Sequence, residues 1–376
     1  MRLRVFILVL LLALPLSGCW DLQEVDRRAF ATTVGIDLGP RGKVLLTIQV
    51  PLAERPETGT SGEVGSKFVI LSAEGDSVND AFNVLQTKTF RELVIEQNKS
   101  IIVGEETARA GLNPLLDFLL RSPKAPPQAL VYVARGRTAR EILQLKPAQA
   151  TLPGFQFILS DQSTVKHDRT FFISLWRFEQ KLVHETKDAY ASLIDLDQEQ
   201  KTFITAGLAV FDDDRLAGEL TPGETQLFGL VGNEMRAGGM TFTLPAGERV
   251  TLINIGVKTH IKVRMAGGTP HFEVRTKISG ALSELSGAKA TNLTVAYYQQ
   301  LEKAIARILR PRLETVIRKL QGFNSDIINF GEELRVQHQS VWQKLDWKKV
   351  FPRAPFKVTV QVKIQRDGVL GYALGK

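Results

Sequence analysis

Cysteine is nearly absent. Cys19 is the one cysteine in 376 residues, so no disulfide can form within the chain and packing alone must hold the fold together. With no second thiol, a cysteine-based zinc site is excluded as well. Histidine is scarce: His167, His184, His260, His271 and His338 are the five present, and none lies in a His-Glu-x-x-His pattern. Also missing are a G-x-G-x-x-G turn, a P-loop and a G-x-S-x-G nucleophile elbow, so phosphate cradling and serine-hydrolase chemistry have no local support. A carboxylate pair assembled from distant segments stays open, because spacing along the chain does not reveal it. No catalytic, cofactor-binding or metal-ligating set is therefore expected. The absences point towards a binding or scaffolding role.

Acidic residues are outnumbered: 40 Asp and Glu stand against 48 Lys and Arg, a formal net charge of +8. A basic balance favours anionic partners, either nucleic acid or a phospholipid surface. Long hydrophobic runs are missing too, apart from one at the start. Arg2 and Arg4 precede an apolar stretch from Val5 to Leu14, followed by Leu16-Ser17-Gly18-Cys19. The stretch is too short to span a bilayer as a helix and has the layout of a secretory signal. Leu-Ser-Gly-Cys resembles the bacterial lipobox, in which the cysteine sulfur receives a diacylglycerol and the chain is cut just before it. Residues 1–18 are therefore expected to be a lipoprotein signal peptide and Cys19 the lipidation site. An ordinary buried cysteine is the alternative. Export of this kind sets nucleic acid aside as a partner.

Downstream, local patterns suggest an α+β or mixed α/β chain in three domains, 19–146, 147–228 and 229–376. Phe30 to Leu38 and Lys43 to Val50 flank Gly39-Pro40-Arg41-Gly42 and suggest a hairpin. Pro51 to Ser66 is expected to be a long loop and Lys67 to Ala73 a strand. Ser77 to Asp80 and Thr138 to Glu141 resemble capping boxes, and Asn113-Pro114 a helix start. Ser100 to Val103 and Ala129 to Ala134 are expected strands. In the middle region, Thr170 to Thr186 suggests a helix with Phe172, Leu175, Trp176, Leu182 and Val183 inward. Phe203 to Phe211 and Arg215 to Leu220 suggest a hairpin around Asp212-Asp213-Asp214. That turn is either solvated or a metal site.

The last region is patterned most clearly. Val257 to Met265, Phe272 to Ile278 and Phe356 to Ile364 alternate apolar with polar residues, as half-buried strands do, and an antiparallel sheet is expected. Leu293, Tyr297, Leu301, Ile305 and Ile308, continued by Leu313, Val316, Ile317 and Leu320, form the stripe of a long covering helix. Pro311 is expected to kink or restart it. The outer face of the sheet would be basic. It is either a solvated face or one that meets lipid headgroups or an acidic partner.

Taken in order, several segments resemble the spore germination C subunits, the Ger(x)C lipoproteins. They are Gly18-Cys19-Trp20-Asp21 with Glu24, Val34-Gly35-Ile36-Asp37 with the Leu45 to Val50 strand, Lys99 to Glu105, Asp117 to Arg121, Gly207 to Phe211, and Leu216 to Gly218. Asp326, Phe330-Gly331, Trp342, Trp347, Phe351 and Gly368 follow in sequence. Two features depart from the family pattern: there is no histidine near Gln97, and Gln337 to Ser340 lacks the proline common before the tryptophan matched by Trp342. The resemblance implies three mixed α/β domains and a non-enzymatic subunit of a nutrient germinant receptor. It also implies a lipid tether on the outer face of the cell membrane or endospore inner membrane, and A-type and B-type membrane subunits as partners. Such receptors respond to amino acids, sugars or nucleosides, and ligand recognition is usually assigned to the B subunit. No cofactor is implied. A solute-binding lipoprotein of a transporter and a surface-anchored enzyme are the alternatives.

Overall fold

A computed structural model describes residues 27–52, 68–122, 125–145, 169–235, 237–245, 247–286 and 294–365. The first half builds one wide sheet. The described chain begins with β1 (Arg28–Phe30), then β2 (Thr33–Leu38), β3 (Val44–Pro51) and β4 (Phe68–Gly75). Then come α1 (Val78–Gln86), β5 (Glu92–Val94), β6 (Ser100–Gly104), α2 (Glu105–Ala110), α3 (Asn113–Arg121), β7 (Leu130–Ala134) and α4 (Ala139–Gln144). After α5 (Leu175–Leu182), strands β8 (Tyr190–Asp197), β9 (Thr202–Asp212) and β10 (Arg215–Leu220) complete it.

The order is β10-β9-β8-β7-β6-β2-β3-β4, while β1 and β5 pair by themselves. The centre is parallel, from β2 through β6 and β7 to β8, and both flanks are antiparallel. The Phe30–Val50 hairpin is present as β2 and β3. Strand β6 is buried at every residue, as a central parallel strand covered on both faces must be. Its pleat divides the cover: Ile101 and Val103 join the main core, while Ile102, with Tyr132 and Ala134 of β7, packs against Ala139, Ile142 and Leu143 of α4. The sheet crosses the 146/147 boundary, since β7 pairs with β8.

Local chemistry explains most helix starts. Thr138 forms a reciprocal capping box with Glu141 at α4. Ser77 accepts from Asp80 N at α1, but the Asp80 carboxylate reaches back to Asp76 N rather than to Ser77. Asn113 lies inside α3 rather than capping it, and Leu112 takes the cap position. The expected helix over 170–186 is shorter, because main-chain bonds from Val131 N to Ile173 O and a bridge between Leu130 and Ser174 hold that approach extended. Consequently Trp176 (50% exposed) and Val183 (74%) lie outward, against expectation. The Pro51–Ser66 loop falls almost wholly outside the described residues.

The second half follows α6 (Pro222–Val231). Strands β11 (Gly239–Thr243), β12 (Arg249–Ala266) and β13 (Thr269–Ser286) lead to α7 (Val295–Gly322), α8 (Phe330–Gln337), the single turns α9 (Gln339–Trp342) and α10 (Trp347–Val350), and β14 (Phe356–Gln365). The sheet order is β11-β12-β13-β14, and α7 covers it with Leu301, Ile305, Leu309, Leu313 and Ile317 inward. The sheet-plus-long-helix arrangement is as expected, with one correction: β14 joins β13 parallel, not antiparallel. Alternation reports which face is buried, not strand direction, and the α7–α10 excursion returns the chain as a crossover rather than a hairpin. Helix α7 also continues through Pro311 as one element. Arg307 and Pro311 are both exposed, so the carbonyl that loses its donor is free to meet water. Core residues of both sheets belong to one hydrophobic cluster.

Candidate functional site

The triple aspartate is a hairpin turn between β9 and β10, as expected. Its environment comes from elsewhere. Asp188, just before β8, and Asp212 and Asp213 of the turn bring carboxylate oxygens within 4.8 Å of one another. The geometry would suit a cation, and a cation is built in: Lys348 Nζ of α10 lies 2.7 Å from Asp188, 2.5 Å from Asp212 and 3.1 Å from Asp213. A lysine ammonium therefore occupies the position that a metal would need. The burial of Lys348 opposes its charge, but the Asp188 and Asp212 carboxylates outweigh this and hold the ammonium above its ordinary range.

Behind the turn sits Asp326, fully buried. Its carboxylate accepts from Phe330 N at 2.9 Å, Gly331 N at 2.6 Å and Trp347 Nε1 at 3.2 Å. Its own N–H donates to Asp188 Oδ2 at 2.6 Å. Burial, helped by the neighbouring Asp188 charge, lifts the Asp326 carboxyl to about 7 against the pull of those donors. Asp188 is also raised by burial, with Lys348 the main influence opposing it. Phe330 stacks on Phe272 of β13, centroids 4.4 Å apart, and Trp347 meets Phe351 and Trp342. Thus Asp326, Phe330, Gly331, Trp342, Trp347 and Phe351, separate in sequence, form one seam joining the end of the first sheet to the second.

Close approach fixes two glycines there. A Cβ on Gly331 would stand 2.7 Å from Trp347 Nε1 and 3.0 Å from Thr186 O. One on Gly218 would meet the Phe323 ring at 2.4 Å. Both substitutions would have to displace packed groups.

A cavity of about 470 Å³ opens beside the seam, lined by His184, Lys187, Asp213, Trp342, Asp346 and Trp347 among others. Its hydroxyl neighbour does not form a nucleophilic relay. Thr186 is buried and donates its proton to Glu332 Oε2 at 2.8 Å, while His184 Nδ1 contacts the Thr186 hydroxyl oxygen at 2.9 Å. The threonine proton thus goes to the carboxylate, not the imidazole, the reverse of what base-assisted attack requires. Glu332 is held down to about 2, chiefly by its hydrogen bonds from Arg335.

The Val34–Asp37 and Lys99–Glu105 segments converge on a second polar cluster at the ends of β2 and β6. Asp37 is buried and accepts from Ala139 N at 2.7 Å and Arg140 N at 3.0 Å, so it caps α4 from another strand. Glu105 accepts from Gly136 N and pairs with Arg109. Both carboxylates are thus engaged by main-chain donors. The expected lipidation site, Cys19, lies outside the described residues, and among those described no helix is long and apolar enough to cross a membrane. The sequence reading missed Asp188 and Lys348. Nothing local marks them, because Lys348 stands 160 residues from Asp188.

Comparison with known proteins divides the chain around the β8–β9 connection, within the first sheet. Residues 21–196 match the family model described as the spore germination protein N-terminal domain. Residues 206–368 match the one described as spore germination B3/GerAC like, C-terminal. Spore germination protein B3 of Bacillus subtilis (strain 168) is 24% identical, with 97% of this chain and 98% of that protein covered. Spore germination protein GerQC of Bacillus cereus is 22% identical, with coverage of 97% and 99%. The crystal structure of the GerBC protein superposes with a TM-score of 0.58 at 21% identity, over 92% of this chain and 99% of that one, a likeness of fold. The ordered seam residues, the fold and both family matches agree: the chain belongs to the Ger(x)C family of spore germination proteins.

Proposed function

We propose that the chain is the lipid-anchored C subunit of a nutrient germinant receptor, without catalytic activity of its own. The observation that carries this reading is the state of Asp326. The carboxyl most suited by its raised value to act as a general acid or base is buried, and its acceptor capacity is used by Phe330, Gly331 and Trp347. It holds a joint between two sheets. The acidic turn nearby is likewise closed by Lys348. In a solute-binding lipoprotein, two lobes would be expected around a cleft; here one sheet runs unbroken from β4 to β10.

In this reading Cys19 carries a diacylglycerol, whose two acyl chains suffice for stable anchoring at ~0.8 kcal/mol per buried methylene. The folded part then lies on the outer face of the membrane beside A-type and B-type subunits, and serves the response to amino acids, sugars or nucleosides. The test is Cys19→Ala in the sporulating host. Loss of palmitate labelling, release from the membrane fraction and failure of nutrient-triggered germination are expected. Normal retention and germination would refute the anchor. Affinity purification from spore membranes should bring down A-type and B-type subunits, and reproducible turnover in a broad hydrolase screen would overturn the non-enzymatic assignment.

A further inference from the structure

The outward face of the second sheet is strongly basic. Lys258, Lys262 and Arg264 project from β12, and all are exposed. Arg275 and Lys277 project from β13 on the same side, and Lys357 and Lys363 from β14. Register brings like charges together where Lys258 stands opposite Lys277. Directly opposed like charges destabilise a sheet, so the face carries a cost that an anionic partner would relieve. Glu273 is the acid in the middle, and it is held by Arg264 at 2.6 Å and Arg275 at 2.9 Å. Among the described residues, none of the ion pairs includes Lys258, Lys262, Lys277 or Lys357.

The composition of the face selects the kind of partner. Its outward positions from Lys258 to Arg264, His271 to Lys277 and Lys357 to Gln365 contain no aromatic residue or methionine, and lysine outnumbers arginine. Protein interfaces are enriched in aromatics and arginine at their cores and depleted in lysine. A flat array of lysines instead matches a diffuse negative surface such as anionic lipid headgroups, where each basic residue contributes ~1 kcal/mol. We propose that this sheet face rests on anionic phospholipid, orienting the protein on its membrane. The proposal does not depend on acylation of Cys19.

Accordingly, the test uses unacylated protein. A chain beginning at Trp20 retains every described strand and helix, Arg28 to Gln365, and lacks the cysteine. It should sediment with vesicles of equimolar phosphatidylglycerol and phosphatidylcholine, not with phosphatidylcholine alone, and should be released in about 0.5 M salt, where screening is short-ranged. The K258E/K262E/K277E variant should lose at least about a hundredfold in partitioning, from ~1 kcal/mol per lysine removed. K303E/R307E/R310E on the exposed side of α7 makes the same change in net charge and should alter binding by no more than about threefold. Circular dichroism checks both folds; if the glutamate set on the sheet unfolds, K258Q/K262Q/K277Q should still lower binding at least about tenfold. Absence of phosphatidylglycerol-dependent binding, or equal losses from the sheet and helix variants, would overturn the proposal. Retention on a polyglutamate resin without vesicle binding would also overturn it, assigning the face to an acidic protein instead.

Discussion

Replacing Lys348 by methionine keeps most of the side chain's apolar length and removes its ammonium. That ammonium lies 2.7 Å from Asp188; at an effective dielectric of about 20, unit charges so placed attract by about 6 kcal/mol before desolvation is subtracted. Removing one member of a buried pair typically costs ~3–5 kcal/mol. Lys348 keeps 34% of its side chain exposed and Asp213 keeps 78%, so screening lowers the expected loss to about 2 kcal/mol. The loss should depend on pH. Asp188 is already raised by burial, and Lys348 is the main influence restraining it, so the K348M carboxyl rises further. A carboxyl whose folded value exceeds its unfolded one binds its proton more tightly in the native state. Its favourable contribution is complete below the unfolded value and is lost as pH rises through the folded one. Urea denaturation should therefore show a loss of about 2 kcal/mol near pH 7.5 and a smaller one near pH 5. An equal loss at both pH values, or one under ~0.5 kcal/mol at neutral pH, would refute the idea that Lys348 serves as the internal cation of this turn.

Two further outcomes test the same seam. Because Asp326 is lifted to about 7, the native state holds a proton that the unfolded chain releases near pH 4, so wild-type stability should fall as pH rises from about 4 to about 7. In Asp326→Asn, urea midpoints measured across that range should show a shallower slope whatever the offset; an unchanged slope would remove Asp326 as its source. Gly331→Ala puts a methyl 2.7 Å from Trp347 Nε1 and should cost ~1–3 kcal/mol by overpacking, read as a lowered melting temperature with altered tryptophan fluorescence. An unshifted melting curve would mean that the joint has more room than this geometry gives it.

How much of this was legible beforehand depends on the range of the interaction. Capping at Thr138, the hairpin around Gly39–Gly42 and the aspartate turn each depend on residues a few positions apart, and each formed where expected. Period-two alternation over 257–265 and 356–364 fixed which side chains face outward, including the basic face. Reading failed where a neighbour from elsewhere took over. The pairing of Leu130 and Val131 with Ile173 and Ser174 shortened α5. The exposed position of Pro311 let α7 continue.

By itself, then, the sequence determined most element types, the buried faces of the second sheet and its long helix and, through ordered residues, the family. Tertiary structure decided the rest. It set the direction of β14, the joining of β8–β10 to the N-terminal strands as one sheet, and the identity of the cation among the aspartates. The physical reason is common to all three. Periodicity and capping record what a residue needs from its immediate neighbours, whereas strand partners and the mate of a buried charge are chosen among segments far along the chain. Asp188 carries no mark of Lys348; only the packing of α10 against the end of the first sheet brings the ammonium within 2.7 Å.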